Sequence, residues 1–373
     1  MRPLRVLAII DSLTWGGAEM LLGDFAAGAP AAGLDLSVAY LQGVDESPAA
    51  ARLLAQGVEP ELVGITLLHD PRGAARVLRH VRRIRPDIVH THLGYADLLG
   101  GLSARALRIP SFSTLHVMAW DETGRDAVKN RLMAAARRRA HRVIAVSEAA
   151  RAAYLATGWD RPEHVVTVRN GIPGRARPGA GAAVRAELGL RPDDLVVTML
   201  AVLRDGKGHD VAIDAVERVR ERVPRIRLLV AGEGPFRPEI ERMAARVGDA
   251  VQLVGQRGDV MDVLDATDVL LHPTRIDALP TALIEAAAAG VPVVATDIGG
   301  VPEIVDDAVG GVLVPNPPTA GPVAEALSGL LEDPARRAEM GAAARRTFEE
   351  RFTAEGWALR LRALYEEALD RRR

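Results

Sequence analysis

The sequence predicts an α/β fold of two domains, each a parallel sheet covered by helices. Three observations carry the prediction. Short apolar runs alternate with amphipathic stretches from the first residues onward. The alternation stops at Arg169–Ala183, a linker-like stretch rich in Gly, Pro, Ala and Arg, and then restarts. The length of 373 residues is enough for two domains with full cores.

Composition narrows the function classes. Hydrophobic residues make up 48% and charged residues 26%, ordinary globular usage. A net charge of −2 gives no overall field for nucleic acid. With no Cys, disulfides and thiolate metal sites are excluded. The first apolar run is short and meets Asp11 at once, which fits a buried strand better than a signal peptide. No apolar run approaches the ~20 residues of a membrane span, so a cytoplasmic location is expected.

In the first half, Val6–Ile10 reads as a strand leading into Asp-Ser-Leu-Thr-Trp-Gly-Gly-Ala-Glu and a helix. Gly16 and Gly17 thus lie beyond the carboxyl end of a strand, where open α/β sheets bind ligands. They form either a tight turn or a place where backbone approaches a ligand. Further strands are expected at Leu36–Leu41, Ile88–His92, Ser111–His116 and Arg142–Val146, and helices at Gly73–Ile84, Ala96–Ala106 and Val128–Arg139. Ser147 should cap a helix reaching Ala156, and Val165–Val168 should be the last strand of this half. His90, His92 and His116 stand near strand ends, as hydrogen-bonded rim residues or as metal ligands. No carboxylate or third His sits at a recognisable metal spacing, so no metal is assigned. Lys129–Arg142, KNRLMAAARRRAHR, is a basic helix. It is either a solvated face or, with Val128, Leu132 and Met133, a surface for peripheral membrane contact.

In the second half, the strand Leu195–Leu203 is followed by Arg204-Asp-Gly-Lys207-Gly-His and a helix over Asp210–Arg222. Arg204 and Lys207 are placed either to grip a diphosphate or as surface charge. The strand Ile226–Ala231 ends in Gly232-Glu-Gly234-Pro, and Val251–Val254 runs into Gly255-Gln-Arg. Val269–His272 precedes the most informative stretch, HPTRIDALPTALIEAAAAGVPVVATDIGG, in which Asp277 stands eight residues before Glu285. Pro280 suits the first helical position, Thr281–Ala289 are strong helix formers, and Gly290 is a natural stop. Asp277 then lies in a loop, and Glu285 more than a turn inside the helix. The helix start favours a phosphate. Two acids beside an anion make sense as acceptors for hydroxyls on either side of it, the layout of a nucleotide-sugar. A strand at Val291–Ala295, a Gly299-Gly300 turn and helices at Pro322–Leu331, Pro334–Phe348 and Ala354–Leu369 complete the chain. The last helix carries Trp357, Leu361, Leu364 and Tyr365 at helical spacing as a packing face.

The Asp277–Glu285 pair resembles the paired-acid motif (an acid, seven residues, a second acid) of retaining glycosyltransferases of family 4. Similarity extends over nearly the whole chain: Gly-Gly-Ala-Glu at Gly16–Glu19, Ser-Thr-Leu-His ending at His116, Arg-Asn-Gly-Ile-Pro after Val168, the Arg204 and Lys207 segment, the turn at Gly232–Pro235, and Gly299-Gly300-Val-Pro-Glu303. The chain departs from the pattern at Asp277, usually Glu, and at Ala278, usually Gly. Its Arg204 stands three residues before Lys207, where many members have the Arg five before, at the place of Val202.

The resemblance implies a GT-B fold: two facing Rossmann-like domains with parallel sheets and a C-terminal crossover helix. It places an acceptor domain at 1–172, a nucleotide-sugar domain at 173–352, and a final helix, 353–373, packed back toward the first domain. It also implies retaining transfer of a hexose from a nucleoside-diphosphate sugar, UDP-linked by family frequency, to a small-molecule, glycan or lipid-linked hydroxyl acceptor. No cofactor and no metal are expected. In that scheme Arg204, Lys207 and the N–H groups near Thr281 and Ala282 stabilise the leaving diphosphate, which Gly16 and Gly17 face. Gly234 and Gly255 belong to turns near the nucleotide, and Glu285 holds the ribose hydroxyls. Asp277 positions the transferred sugar with help from the backbone of Ala278 and Leu279, next to Pro280 and Thr281. His116 lies near the reacting carbon, in a cleft whose closure excludes water.

Two rivals fail on spacing. A dinucleotide oxidoreductase needs Gly-x-Gly-x-x-Gly after a strand, and neither the Gly16 turn nor the Gly232 turn supplies it. A phosphate-loop ATPase needs Gly at Ala201 and Ser or Thr at Gly208. An epimerase or phosphorylase of the same fold, and a non-catalytic nucleotide-sugar binder, stay open at this level.

Overall fold

A computed structural model describes all residues except 1, 15, 44–46, 66–70, 119–123, 175–178 and 372–373, and omits the side chains of 71 and 124–126. The chain divides into two compact units, Met1–Pro173 with Phe352–Arg373, and Gly174–Arg351.

The first unit contains β1 (Leu4–Ser12), α1 (Gly17–Gly28), β2 (Leu34–Gln42), α2 (Pro48–Leu54), β3 (Glu61–Leu62), α3 (Pro71–Ile84), β4 (Ile88–His92), α4 (Gly94–Ala106), β5 (Ser111–Leu115), α5 (Gly124–Arg137), β6 (Arg142–Ala145), α6 (Glu148–Ala156) and β7 (Val165–Thr167). Its seven-stranded sheet runs β3-β2-β1-β4-β5-β6-β7, every pair parallel. Val6–Ile10 are buried because helices cover both faces of the sheet, the reason the strand reads as an unbroken apolar run. Ser147 caps α6 as expected, its Oγ accepting the Ala150 N–H at 3.0 Å. Ser47 does the same for α2 at 3.1 Å.

The unit is completed from a distant part of the chain by α14 (Ala354–Asp370). Trp357 packs on Phe25 with ring centroids 5.2 Å apart, and the Tyr365 hydroxyl meets His90 Nδ1 at 2.7 Å. Trp357, Leu361 and Tyr365 are buried, whereas Leu364 is only half-buried. Backbone bonds from Ile172 to Phe352 and from Ala354 to Ile172, both 2.9 Å, fasten the helix entrance.

The second unit contains α7 (Gly181–Glu187), β8 (Leu195–Leu200), α8 (His209–Val219), β9 (Ile226–Ala231), α9 (Arg237–Val247), β10 (Val251–Gly255), α10 (Val260–Asp265), β11 (Val269–His272), α11 (Thr281–Ala289), β12 (Val293–Thr296), β13 (Gly311–Val314), α12 (Ala320–Leu331) and α13 (Pro334–Arg351). Its six-stranded sheet, β10-β9-β8-β11-β12-β13, is also parallel throughout. A core of Val, Leu, Ile and Ala from β8, β9, α8 and α12 fills one face.

Several expectations need correction. Pro280 occupies the N-cap of α11, with helical residues starting at Thr281, because its ψ of 115° is still extended. His116 falls just past β5 instead of ending it. The linker reading of Arg169–Ala183 ends early: α7 already starts at Gly181, whose N–H donates to Asp265 Oδ2 at 2.7 Å. Within that stretch, 175–178 lie outside the described residues.

Candidate active site

In the second unit, β8 and β11 are neighbours from which the strand order runs outward in opposite directions. Beyond the carboxyl ends of two such strands the crossovers diverge, and open sheets bind ligands there. The loops after these strands meet. The Arg275 N–H donates to the Gly206 carbonyl at 2.8 Å, and Thr274 Oγ1 donates to the same carbonyl at 3.2 Å. The Arg275 guanidinium grips both oxygens of Asp210, in the first turn of α8, at 3.0 and 2.6 Å. Gly208 permits the approach: its φ is +77°, and a Cβ there would stand 1.9 Å from the Pro273 carbonyl oxygen.

The laced loops bring two predicted residues together. Lys207 Nζ lies 2.6 Å from Asp277 Oδ2, with both side chains largely buried. His272 Nε2 stands 3.5 Å from the same oxygen. Burial pushes the Asp277 carboxyl up, but His272 and the Lys207 ammonium outweigh it and bring it down to about 2. The Asp277 carboxyl is therefore ionised at neutral pH. Next to it, α11 begins without any side-chain cap, so its dipole and first-turn N–H groups favour an anion. Ala278, Leu279 and Pro280 are buried in the approach to the helix. Glu285 is half-buried a turn inside it, past Thr281.

The other predicted residues are placed differently. Arg204 is exposed, and its guanidinium takes no partner among the described residues. Gly234 sits against the chain leaving β8, where a Cβ would meet the Leu203 carbonyl oxygen at 2.3 Å. The Gly232 N–H donates to the Gly255 carbonyl at 2.8 Å. The turns after β8, β9 and β10 are thus joined along one edge of the sheet.

In the first unit, Gly16 is the N-cap of α1, with Gly17 as its first helical residue. The buried Glu19 side chain folds back over this turn, and a Cβ on Gly16 would stand 2.0 Å from Glu19 Oε2. His116 Nε2 lies 3.0 Å from His92 Nδ1. His90 is held by Tyr365 and, at 2.7 Å, by Thr114 Oγ1, the role of a rim residue. Burial lowers His116 to about 4 and His90 to about 3, so both rings are neutral at neutral pH. Among the described residues no group of three or more His, Asp and Glu is arranged to hold a metal.

His116 also lines a cavity of about 240 Å³ at the carboxyl edge of this sheet, with Asp11, Gly94, Lys129 and Asn130. Asp11 is a residue that sequence reasoning passed over. Its carboxylate caps α4, accepting the N–H groups of Tyr95 at 3.1 Å and Ala96 at 2.6 Å. Burial raises it to about 6 despite these bonds. Its position directly after the apolar run Val6–Ile10 was the available signal. Neighbouring Leu93 has a φ of +71°, rare for a bulky residue, at the crossover from β4 to α4.

The basic stretch 129–142 does not form one uniform face. Lys129 lies 4.9 Å from the Tyr95 ring centroid and lines the cavity. Arg137 is buried and bonds Asp97 at 2.7 Å. Met133 is buried, while Val128 and Leu132 are exposed.

Comparison with known proteins agrees with this architecture. Residues 15–173 match the family model described as Glycosyltransferase Family 4, and residues 182–347 the one described as Glycosyl transferases group 1. The D-inositol 3-phosphate glycosyltransferase of Nocardia farcinica is 31% identical over 294 residues, which cover 72% of this chain and 64% of that protein. The chain thus matches somewhat less than two thirds of that relative's length. The enzyme of the same name from Segniliparus rotundus is 32% identical over 76% of this chain and 67% of its own. The GDP-mannose-dependent alpha-(1-6)-phosphatidylinositol monomannoside mannosyltransferase of Mycolicibacterium smegmatis is 37% identical over 45% of this chain and 46% of its own. Among solved structures, Anabaena HepE in complex with UDP and glucose superposes with a TM-score of 0.86 at 22% identity, over 99% of this chain and 100% of that one. The two parallel sheets are those of the GT-B fold, and the chain belongs to the family 4, group 1 glycosyltransferases.

Proposed function

We propose that the chain transfers a hexose from a nucleoside-diphosphate sugar to a hydroxyl acceptor, with retention of anomeric configuration and without a divalent metal. One observation carries the reading. Lys207 and Asp277 meet at 2.6 Å where the crossovers of the second sheet diverge, beside a helix start that no side chain caps. An ammonium has three protons, so Lys207 can keep its bond to Asp277 and turn another proton toward a phosphate oxygen. As the glycosidic bond breaks, negative charge gathers on the diphosphate. Lys207, Arg204 and the N–H groups of Thr281 and Ala282 stabilise it in place of a metal ion.

The remaining roles follow from the same layout. Glu285 accepts the ribose hydroxyls, and Asp277 accepts hydroxyls of the transferred sugar. The backbone of Ala278 and Leu279 assists, and the Gly234 and Gly255 turns take the nucleotide. Gly16 and Gly17 serve the diphosphate. Neutral His116 serves as a hydrogen-bonding group in the acceptor cavity of the first unit, where Lys129 suits an acceptor that carries negative charge. That preference accords with the inositol phosphate and phosphatidylinositol mannoside named for relatives. UDP-glucose is our first choice of donor, since HepE was solved with UDP and glucose. GDP-mannose is the second, because the mannosyltransferase relative depends on it. We place the protein in the cytoplasm, with peripheral contact at the inner face of a membrane through 129–142, where Val128 and Leu132 are exposed.

The test supplies each donor with pools of candidate acceptors and follows release of free nucleotide. Acceptor-dependent release is expected with one of the two donors. Donor binding without turnover across the pools would overturn transfer in favour of a binder. The Glu285→Gln variant should use donor roughly tenfold to a hundredfold less well, the usual effect of losing a hydrogen bond to a charged group. Unchanged donor kinetics would remove Glu285 from the site.

A further inference from the structure

The first unit has a second and larger cavity, of about 550 Å³, at the edge of the sheet opposite His116 and Asp11. Strands β5 and β6 begin there, with Pro110 and Ser111 on one side and His141 on the other. With all strands parallel, the length of β5 separates this cavity from the carboxyl edge by roughly 15 Å. Arg105, Arg108 and Arg139 line it, and no carboxylate does.

Two of these guanidiniums, those of Arg105 and Arg139, contrast with others on the same unit. Arg2 and Arg5 pair with Asp87, Arg83 with Glu61, Arg137 with Asp97, and Arg142 with Glu367. Arg105, by contrast, takes no carboxylate among the described residues, and Arg139 donates to the Ala135 carbonyl at 2.7 Å. Glu367, the acid nearest His141, is held by Arg142 and by Arg371, at 3.0 and 2.6 Å. The His141 ring rests on Phe112, centroids 5.5 Å apart, and its Nε2 is buried with no hydrogen-bond partner among the described residues.

Local backbone fixes the position of two of the arginines. The turn leaving α4 closes with bonds from the Arg108 N–H to the Arg105 carbonyl at 3.0 Å and from the Ile109 N–H to the Ala104 carbonyl at 2.8 Å. Arg108 takes the left-handed position, φ +55°, where glycine is usual. Arg85 does the same after α3, so strain alone points to no ligand. The cavity, its missing carboxylates and the unsatisfied imidazole together do.

We infer that this cavity binds a phosphomonoester, through Arg105, Arg108 and Arg139 with His141, at a site separate from the sugar-transfer site. A dianionic phosphate answers several planar guanidinium forks at once. The volume falls in the range of small-molecule sites and leaves room for the rest of a phosphorylated sugar or a lipid headgroup.

The experiment measures hydrogen exchange of the full chain with and without inorganic phosphate. Phosphate should slow exchange in 104–111 and 138–142, and titration of this protection gives the affinity. The Arg105→Ala/Arg139→Ala double variant should bind about tenfold more weakly for each guanidinium lost. Both side chains are exposed, so the variant should melt with the wild type, which checks its folding. Lys207→Ala should keep this protection, separating the site from phosphate held in the second unit. Sedimentation with phosphatidylcholine vesicles, with and without phosphatidic acid, identifies the source. Capture by phosphatidic acid that the double variant loses assigns a lipid headgroup, whereas protection by free phosphate with no such capture assigns a soluble phosphomonoester. No protection by phosphate and no capture by vesicles, or effects that survive in the double variant, would overturn the site.

Discussion

Lys207 and Asp277 each lose something different on substitution. Removing the Lys207 ammonium strands the largely buried Asp277 carboxylate and, in the proposed reaction, takes away positive charge from the leaving diphosphate. Lys207→Ala should lower kcat roughly tenfold to a hundredfold, and steady-state kinetics beside an exposed-lysine control will read it. Asp277 also has a signature in stability. Its folded carboxyl is lowered from 3.8 to about 2, with burial opposing the shift and His272 and Lys207 overcoming it. A depressed acid stabilises the fold above its unfolded pKa. This contribution, about 2 kcal/mol, is present in full above pH 3.8 and is lost as pH falls through about 2. Urea denaturation of wild type and Asp277→Asn across that window should show the gap between them closing as pH drops. Both residues were legible in the sequence because each follows an apolar strand. Their contact was not, since it joins positions far apart in the chain and depends on how the loops after β8 and β11 fold onto each other.

At the scale of elements, the first unit is braced by a buried polar knot. Asp97 on α4 accepts Thr91 Oγ1 and Ser113 Oγ at 2.6 Å, and Arg137 Nε of α5 at 2.7 Å. Removing one partner of such a pair leaves an uncompensated buried charge. Asp97→Ala should therefore cost about 3–5 kcal/mol, measured by urea denaturation. The knot also explains why the basic stretch of α5 misled a reading by composition: Arg137 carries a charge but belongs to the interior. The buried strands β4, β9 and β11 were legible to the residue. Those missed include α9, an 11-residue helix that was not read between the Gly234 turn and β10, and several shorter elements. Strand β3 is two residues at a sheet edge, β13 opens with Gly311, and α10 is a helix of six residues between β10 and β11. Packing against neighbours, not local preference, makes these.

At the scale of the whole molecule, the proposed transfer asks two parallel sheets to stabilise a leaving group by electrostatics alone. If Lys207, Arg204 and the start of α11 supply the positive charge, turnover should persist at full rate in excess chelator. A dependence on added magnesium, read in the same nucleotide-release assay, would contradict the metal-free scheme. Donor choice was not legible: in the proposed site the turns at Gly232 and Gly255 would offer a nucleotide mainly backbone, which carries little side-chain identity.

The helix Ala354–Asp370 has a consequence for biosynthesis. The second unit is one continuous span, Gly174–Arg351, and is complete once it has left the ribosome. The first unit must wait for the segment that follows the second unit, because Trp357 and Tyr365 fill places against Phe25 and His90 made hundreds of residues earlier. Domains commonly mature in order of synthesis. In this chain the order should be reversed, and until Ala354–Asp370 emerges the nascent first unit exposes the apolar groove that this helix later seals.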